Sequence, residues 1–405
     1  MEFDGDWVMA YTAEKWPLVR MQIERVLPRT GPYGRWLNGP IWYHVGDDAI
    51  DPQTKKGPKR SRPIFCLMAA ECLGVPLADA LPFAAATEMT HEYLICHDDI
   101  MDGDTSRRDQ PALWVRYGMD SEGKKGRYHK SLSRGIELGD TGVANGINAG
   151  DYMMAKAYEA VTSSHLSDAK KAALCGTLTT TLVKTGEGQA LDVNLRADAQ
   201  FTVDKYFELA TLKTGYYLIF GVVGSAQLAG LDDRSISALW KLGGNIGVAF
   251  QMLDDVIDLT SGKGRLGRDG RPQLGNDIRE GKPSALFAKT LELANATEKA
   301  RLLEIFKKRR ERTTAADIKW VTELYRRHGV IEWERTGGKK RTRGWVVEEA
   351  DRLCRQAVSL VDDMRGFGTP QQADKFKALM RFMAKRESSR EDGQSGVGSR
   401  ESGND

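Results

Sequence analysis

The sequence predicts an all-α protein. Apolar residues recur at the three- and four-residue spacing of amphipathic helices along most of the 405-residue chain, and nothing resembles a series of alternating strands. Seven segments carry the strongest helical pattern: residues 64–73, 81–102, 149–162, 169–191, 203–228, 236–259 and 285–309. Many of these segments are long enough to line a deep cavity, so we expect a helical bundle around a central cavity.

Local signals set the ends of these helices. Pro82 suits the first turn of the helix at 81–102, and Gly103 is a C-terminal stop signal for it. The aspartates at 98–102 should therefore lie on the last turn. Three glycines, Gly243, Gly244 and Gly247, allow the helix at 236–259 to pack closely against a neighbour.

The chain is predicted to form one domain over residues 1–385. Residues 118–140 are rich in Gly, Lys, Ser and Arg and exceed ordinary helix connections in length, so we interpret them as an inserted flexible loop. Residues 386–405 contain almost no apolar side chains and are predicted to be a disordered tail. The sequence contains no fixed-period repeat of the solenoid kind.

Composition narrows the class of protein. The 59 Lys and Arg residues nearly balance 56 Asp and Glu, which disfavours nucleic acid or an anionic membrane as a general partner. The five cysteines are scattered without CxxC spacing, and the acidic start MEFDGD lacks a secretory layout. No apolar run approaches the ~20 residues of a membrane span. We therefore expect a cytoplasmic protein without a transmembrane segment.

Two copies of one acidic motif carry the chemistry. Residues 98–102 read DDIMD and residues 254–258 read DDVID, each closing an apolar helical stretch. Side chains four apart on a helix share one face at about 6 Å, so the outer aspartates of each motif should converge. Carboxylates are the ligands that Mg²⁺ prefers, and Mg²⁺ completes its shell with water and substrate phosphates. A solvated helix face is the alternative, but the apolar surroundings and the second motif disfavour it. The motifs therefore predict a Mg²⁺ site that binds diphosphate.

Basic pairs accompany the first motif. Lys59 and Arg62 lie just before the helix at 64–73, and Arg107 and Arg108 follow the first acidic motif directly. Arginine makes bidentate contacts with phosphate oxygens and lysine supplies a point charge. Each pair alone would indicate a solvated loop. The order of aspartates followed by two arginines favours phosphate binding.

The combined motifs resemble those of the trans-isoprenyl diphosphate synthases, or polyprenyl synthetases. The resemblance covers residues 59 to 282 in order, through GPKRSRP, EMTHEYLICHDDIMDGDTSRRDQPALW, GEGQALD, KTG, FQMLDDVID and GNDIREGKP. It implies the all-α isoprenoid-synthase (terpenoid synthase) fold, a homodimer, and two aspartate motifs that face each other across the cavity. It also implies an enzyme that condenses isopentenyl diphosphate with a dimethylallyl, geranyl or farnesyl diphosphate.

The resemblance assigns roles residue by residue. The principal Mg²⁺ ligands would be Asp98, Asp102 and Asp254, supported by Asp99, Asp255 and Asp258. Arg107 would contact the allylic diphosphate, and Lys59, Arg62, His91 and Arg108 would hold isopentenyl diphosphate. The residues over the reacting carbons would be Lys213, Thr214 and Gln251, while Lys282 would bind diphosphate. Asp192 would orient metal-bound water, with a surface carboxylate as the alternative.

The resemblance also concerns product length. An aromatic residue five positions before the first aspartate acts as a stop in this family, and here that residue is Tyr93, as in a geranylgeranyl diphosphate synthase. A tyrosine that only packs between helices is the alternative. A farnesyl diphosphate product is a second possibility.

Several positions depart from the family pattern. Pro58 and Asp109 replace expected glycines, and Pro272 occupies the position of an expected lysine, for which Arg271 is a substitute after a one-residue slip. These changes leave rival functions open: a terpene cyclase on the same fold, and a silent subunit that modulates another synthase. The phosphate-binding residues and intact motifs disfavour both. A basic RNA-binding module is disfavoured by the near-neutral charge.

Overall fold

Helices form nearly all of the regular structure in the computed structural model, which describes residues 3–31, 33–34, 37–45, 59–107, 110–117, 141–260, 274–336 and 339–388. The all-α prediction is confirmed. The first half contains α1 Gly5–Val26, α2 Asn38–Val45, α3 Ser61–Cys72, α4 Leu77–Asp102, α5 Leu113–Tyr117, α6 Thr141–Thr162 and α7 Asp168–Asn194. A two-residue ladder pairs β1 Ser106–Arg107 antiparallel with β2 Gln110–Pro111.

The second half continues the bundle. It contains α8 Val203–Ala210, a π-helical turn Thr211–Gly215, α9 Tyr216–Leu228, α10 Asp233–Thr260, α11 Asn276–Glu280, α12 Ala285–Leu293, α13 Ala296–Phe306, a 3₁₀ turn Arg310–Arg312, α14 Ala315–Arg327, α15 Trp345–Asp362 and α16 Pro370–Ser388. An antiparallel hairpin, β3 Glu332–Thr336 and β4 Lys339–Arg343, precedes α15 with Glu332 opposite Arg343. The sequence did not predict this hairpin.

Helix α4 is the central element of the bundle. Every residue from 80 to 90 is buried, because the small side chains of the FAAAT segment let α3, α6 and α9 approach. The helix begins at Leu77 after Pro76, so Pro82 lies inside it, and the predicted start was wrong by four residues. Its end agrees with prediction: Gly103 caps the helix with a left-handed φ of 66°. The first acidic motif thus occupies the last turn.

Two predicted helices are interrupted. Residues 203–228 form α8, the π-helical turn and α9 rather than one α-helix. Residues 285–309 form two helices, because Asn295 and Glu298 make a reciprocal capping box that starts α13 after Ala294. The Asn-x-x-Glu pattern of residues 295–298 is the sequence signal for this second helix start.

One apolar core connects the helices from α1 to α16. A second, smaller apolar cluster is formed by Ile100, Ala112, Trp114, Val115 and Val143. The five cysteines form no disulfide. Helix α16 continues to Ser388, three residues into the predicted tail, and residues 389–405 lie outside the described part. The predicted insertion at 118–140 also lies outside it. No described helix is long and apolar enough to cross a membrane.

Candidate active site

A cavity of ≈ 310 Å³ lies between α3, α4, α7, the π-helical turn, α9 and α10. Eight residues that the sequence singled out line it: Arg62, His91, Tyr93, Asp98, Arg107, Lys213, Thr214 and Gln251. The remaining wall is largely apolar, with Leu94, Ile95, Met101, Leu182 and Phe250 among its residues. Charged side chains therefore lie together at one side of a largely apolar cavity.

A second, smaller cavity of ≈ 40 Å³ lies near the first. Asp192, Asp255 and Lys282 are among its lining residues. Lys213 and Gln251 line both cavities. Residues predicted to act on the two diphosphates thus occupy one continuous region of the bundle.

The outer aspartates of the first motif are surrounded by cations. Lys213 Nζ lies 3.2 Å from Asp98 Oδ1 and 2.9 Å from Asp192 Oδ2. Lys282 Nζ lies 2.7 Å from Asp102 Oδ2, and Arg196 Nη2 lies 2.5 Å from Asp102 Oδ1. These contacts join the end of α4 to α7, the π-helical turn and the segment after α11.

Ion pairing keeps these groups charged. Burial opposes ionisation of Asp98 and Asp102, but the surrounding cations, led by Lys213 for Asp98 and by Lys282 for Asp102, together outweigh it, so the pKa of each carboxyl lies below its usual value. Burial likewise opposes the charge on Lys213, and Asp98 raises the pKa of that lysine. The site therefore holds anionic and cationic groups together at neutral pH.

The middle aspartate of the first motif points elsewhere. Asp99 is fully buried and accepts a hydrogen bond of 2.9 Å from Nε of Arg107. Arg107 is only partly buried and reaches the cavity. Asp99 therefore holds an arginine in place and is not itself on the cavity surface.

The π-helical turn places Lys213 and Thr214 in the cavity wall. The turn fits because Gly188 of α7 has no side chain; a Cβ there would lie 2.3 Å from the backbone nitrogen of Lys213. Thr214 Oγ1 donates a 3.1 Å hydrogen bond to Gln251 Oε1, and Gln251 Nε2 donates one of 3.1 Å to Asp255. A π-helical turn of this kind is often found at functional sites.

The second motif is more deeply buried than predicted. Asp255 accepts hydrogen bonds from the Tyr206 hydroxyl at 3.2 Å and the Ala285 backbone N–H at 3.0 Å. Asp258 is fully buried and accepts from the backbone N–H of Asp277 at 3.1 Å. Asp254 is half-buried. Asp255 and Asp258 thus anchor the segment that carries Lys282, and Asp258 does not line either cavity.

An aromatic ring organises the basic residues. The Arg62 guanidinium lies 4.3 Å from the centre of the Tyr217 ring, and the His91 ring lies 5.5 Å from it. Tyr217 was not predicted, although its position four residues after Lys213 places both on one helix face. Lys59 is exposed and lines neither cavity. Arg108 lies outside the described residues, as do Pro58, Asp109, Arg271 and Pro272.

The donor set fits Mg²⁺ delivered with diphosphate. Within the described ranges, no three His, Cys, Asp or Glu residues come together as a ready cage. Such a cage is not required, because Mg²⁺ is usually bound by one or two carboxylates together with substrate phosphates and water. Asp98 and Asp102 present hard oxygen ligands of this kind beside the cavity.

Comparisons with known proteins give one consistent result. The family model described as Polyprenyl synthetase matches residues 45–325. A short chain isoprenyl diphosphate synthase from Methanothermobacter thermautotrophicus is 31% identical over 312 residues, which cover 76% of this chain and 85% of that protein. A geranylgeranyl diphosphate synthase from Methanosarcina mazei is 33% identical over 270 residues, covering 66% of this chain and 72% of that protein.

The fold has solved counterparts. A geranylgeranyl pyrophosphate synthetase from Pyrococcus horikoshii superimposes with a TM-score of 0.71 at 26% identity. The match covers 95% of this chain and 99% of that one. The likeness extends beyond the motifs to almost the whole bundle.

Proposed function

Because the chain belongs to the polyprenyl synthetase family, we propose that it condenses isopentenyl diphosphate with an allylic diphosphate to give geranylgeranyl diphosphate. The chain is a prenyltransferase of the isoprenyl diphosphate synthase type. One observation carries the proposal. Asp98, Arg62, Arg107 and Lys213 meet at one cavity whose remaining wall is largely apolar. Such a site suits a substrate with a charged head and a hydrocarbon tail.

We propose that Mg²⁺ is the cofactor and that Asp98, Asp102 and Asp254 hold it, with Asp99, Asp255 and Asp258 in support. When bound, Mg²⁺ neutralises diphosphate and makes it a better leaving group. The support from Asp99, Asp255 and Asp258 is indirect, because their carboxylates already bind Arg107 and the two ends of the segment that carries Lys282.

The residues of the chain have distinct tasks in this reaction. Arg107 and Lys282 bind the allylic diphosphate, and their charges favour departure of diphosphate from the allylic carbon. Lys59, Arg62, His91 and Arg108 hold isopentenyl diphosphate. The double bond of isopentenyl diphosphate attacks the resulting cation, and loss of a proton restores the alkene.

Positioning and exclusion of water complete the reaction. Lys213, Thr214 and Gln251 line the cavity beside Asp98. This position supports the role assigned to them, over the reacting carbons. Hydrogen bonds from Lys213 to Asp192 and from Thr214 to Gln251 fix these side chains before substrate enters. The apolar wall keeps water from the cation. Asp192 orients Lys213 directly, and we assign it this role in addition to any contact with metal-bound water.

The floor of the cavity supports a product of limited length. Tyr93 lines the cavity with its ring 4.8 Å from the His97 ring in an edge-to-face contact. His97 fits because Gly150 of α6 faces it; a Cβ at Gly150 would lie 2.2 Å from His97 Nε2. His97 Nε2 lies 3.1 Å from the Ile147 carbonyl oxygen. Tyr93 and His97 thus form a braced aromatic floor.

Tyr93→Ala is expected to lengthen the main product by at least one isoprene unit, because it removes half of that floor. The measurement is chromatography of dephosphorylated products against standards. Tyr158→Ala is the control, since Tyr158 of α6 is also a partly buried tyrosine packed against the core, bonded to Thr179 of α7, but does not line the cavity. An unchanged product pattern in Tyr93→Ala would remove Tyr93 as the stop.

We propose that the protein is a homodimer. Ile147 on α6 and Val183 on α7 are large apolar side chains exposed by 41% and 51%. Exposed apolar groups on neighbouring helices suit contact with a second copy. Light scattering of the purified protein tests this, and a monomer at all concentrations would refute it.

The test of the function is incubation with MgCl₂, isopentenyl diphosphate and dimethylallyl, geranyl or farnesyl diphosphate. Geranylgeranyl diphosphate as the main product supports the proposal. Farnesyl diphosphate as the main product would correct only the proposed product length and leave the proposed reaction in place. A cyclic hydrocarbon formed without isopentenyl diphosphate, or no product with any starter, would overturn the proposal.

A further inference from the structure

Helix α4 carries a second acidic stripe on the side away from the cavity. Glu88, Glu92 and Asp99 are all fully buried, and none of them lines the main cavity. Their spacing of four and seven residues places them along one helix face. Three buried carboxylates on one helix face are costly unless cations neutralise them.

Each of these carboxylates has a basic side chain as its partner, and these partners come from different parts of the chain. Arg60 Nη1 hydrogen-bonds to Glu88 and lies 3.6 Å from Glu92. His44 Nδ1 of α2 lies 2.6 Å from Glu92, and Arg107 is bound to Asp99. The stripe therefore ties the segment before α3, helix α2 and the segment after α4 to the helix that carries the first acidic motif.

Arg60 is held more firmly than its position in a connecting segment would suggest. Its side chain is 5% exposed and its guanidinium lies 4.0 Å from the centre of the Trp16 ring of α1. Its backbone has a left-handed φ of 51°, a conformation that residues other than glycine rarely adopt. Such a conformation persists only where the surroundings hold it. Here Glu88, Glu92 and Trp16 supply that hold.

The location of Arg60 gives this network a consequence for substrate binding. Arg60 stands between Lys59 and Arg62, and Arg62 reaches the cavity through its contact with Tyr217. His91, another residue proposed to hold isopentenyl diphosphate, lies on α4 between Glu88 and Glu92. Moving Arg60 relative to α4 would change the distance between Arg62 and His91.

We propose that Arg60 is a positioning residue that sets the affinity for isopentenyl diphosphate by clamping the Lys59–Arg62 segment to Glu88 and Glu92. The inference rests on the proposed function. Arg60 touches no substrate; it acts through Arg62. A clamp of charged groups suits this task because it is directional, whereas apolar packing would stabilise the contact without fixing the orientation of the segment.

Arg60→Lys tests the proposal. Lysine keeps the positive charge, so the buried carboxylates are not left without a cation, but it lacks the planar guanidinium that stacks on Trp16 while Nη1 contacts Glu88 and Glu92. We expect KM for isopentenyl diphosphate to rise about tenfold, since small displacements of binding groups have effects of this size or larger. KM for the allylic diphosphate and kcat should stay within about twofold.

Arg29→Lys is the matched control. Arg29 also stacks on a tryptophan, Trp42, and bonds to a glutamate, Glu24, but it is half-exposed and lines neither cavity. The Arg29→Lys variant should therefore leave kcat and the KM values for both diphosphates unchanged. Hydrogen exchange of a peptide covering residues 59–65 is a second readout that needs no turnover, and it should speed up in Arg60→Lys only.

The outcomes separate this inference from the function on which it rests. Faster exchange at 59–65 with a raised KM for isopentenyl diphosphate alone supports the clamp. An unchanged KM in an active, folded Arg60→Lys enzyme overturns it, as does an equal rise in both KM values. If the wild-type protein makes no product, the proposed function is wrong. In that case the clamp is still tested by hydrogen exchange, and unchanged exchange at residues 59–65 in Arg60→Lys would overturn it. If Arg60→Lys does not fold, Glu92→Gln, which weakens only one arm, replaces it under the same criteria.

Discussion

Asp98→Ala is expected to lower kcat by about three orders of magnitude, in line with the several kcal/mol that a metal supplies to charge stabilisation. The change removes a proposed Mg²⁺ ligand and also one of the two carboxylates that hold Lys213. Asp98 contributes little to core packing, since its side chain is 32% exposed. Circular dichroism should therefore show unchanged helicity while steady-state turnover is lost.

Two companion variants sharpen this prediction. Glu187→Ala removes a carboxylate from the exposed surface of α7, where Glu187 pairs with Lys184, and should leave turnover unchanged. Asp254→Ala should act like Asp98→Ala, because the second motif is proposed to hold the metal as well. Turnover near wild type in Asp98→Ala would refute the assignment of the first motif, and the same result in Asp254→Ala would refute that of the second.

Gly188→Ala is expected to lower kcat about a hundredfold, since misplacing a catalytic group by about 1 Å can have this effect. The new Cβ would lie 2.3 Å from the backbone nitrogen of Lys213 and 2.6 Å from its Cα, so the π-helical turn must move. Lys213 and Thr214 would then leave their places in the cavity wall. The change should also destabilise the fold by roughly 1–3 kcal/mol, as overpacking does.

Gly176→Ala provides the control on the same helix. A Cβ at Gly176 meets nothing within 4 Å, so turnover should be unchanged and stability slightly higher. The measurements are kcat at saturating substrates and the midpoint of thermal unfolding for both variants. If Gly188→Ala had normal turnover, the placement of Lys213 by this close contact would be wrong.

The first acidic motif and the arginines after it could be placed near the cavity from the sequence alone. A DDxxD motif on an apolar helix, followed by a glycine and two arginines, indicated where Asp98, Asp102 and Arg107 would lie, and each is found beside a cavity or in contact with its lining residues. Tyr217 was not predicted, although it shares a helix face with Lys213. Its role depends on contacts with Arg62 and His91. Those neighbours come from helices distant in sequence.

The sequence could not show which carboxylates face inward. Asp254, Asp255 and Asp258 form the same motif as the first, yet Asp258 is tied to the Asp277 backbone and Asp255 to Tyr206 and Ala285. Those partners come from α11, α8 and α12, three helices whose packing against α10 no local pattern specifies. The π-helical turn could not be predicted either. It depends on close contacts with Gly188 and with the glycines of α10 rather than on its own residues.

The contact between Gly150 and His97 bears on how enzymes of this kind can be re-engineered. In the proposed reaction, the depth available to the hydrocarbon depends on two helices, through the Tyr93 and His97 rings on α4 and through the missing side chain at Gly150 on α6. A methyl group at residue 150 would displace the His97 ring, which lines the cavity. Libraries aimed at altered terpenoid precursors should therefore vary α6, which carries no recognised motif, together with the positions upstream of the aspartates.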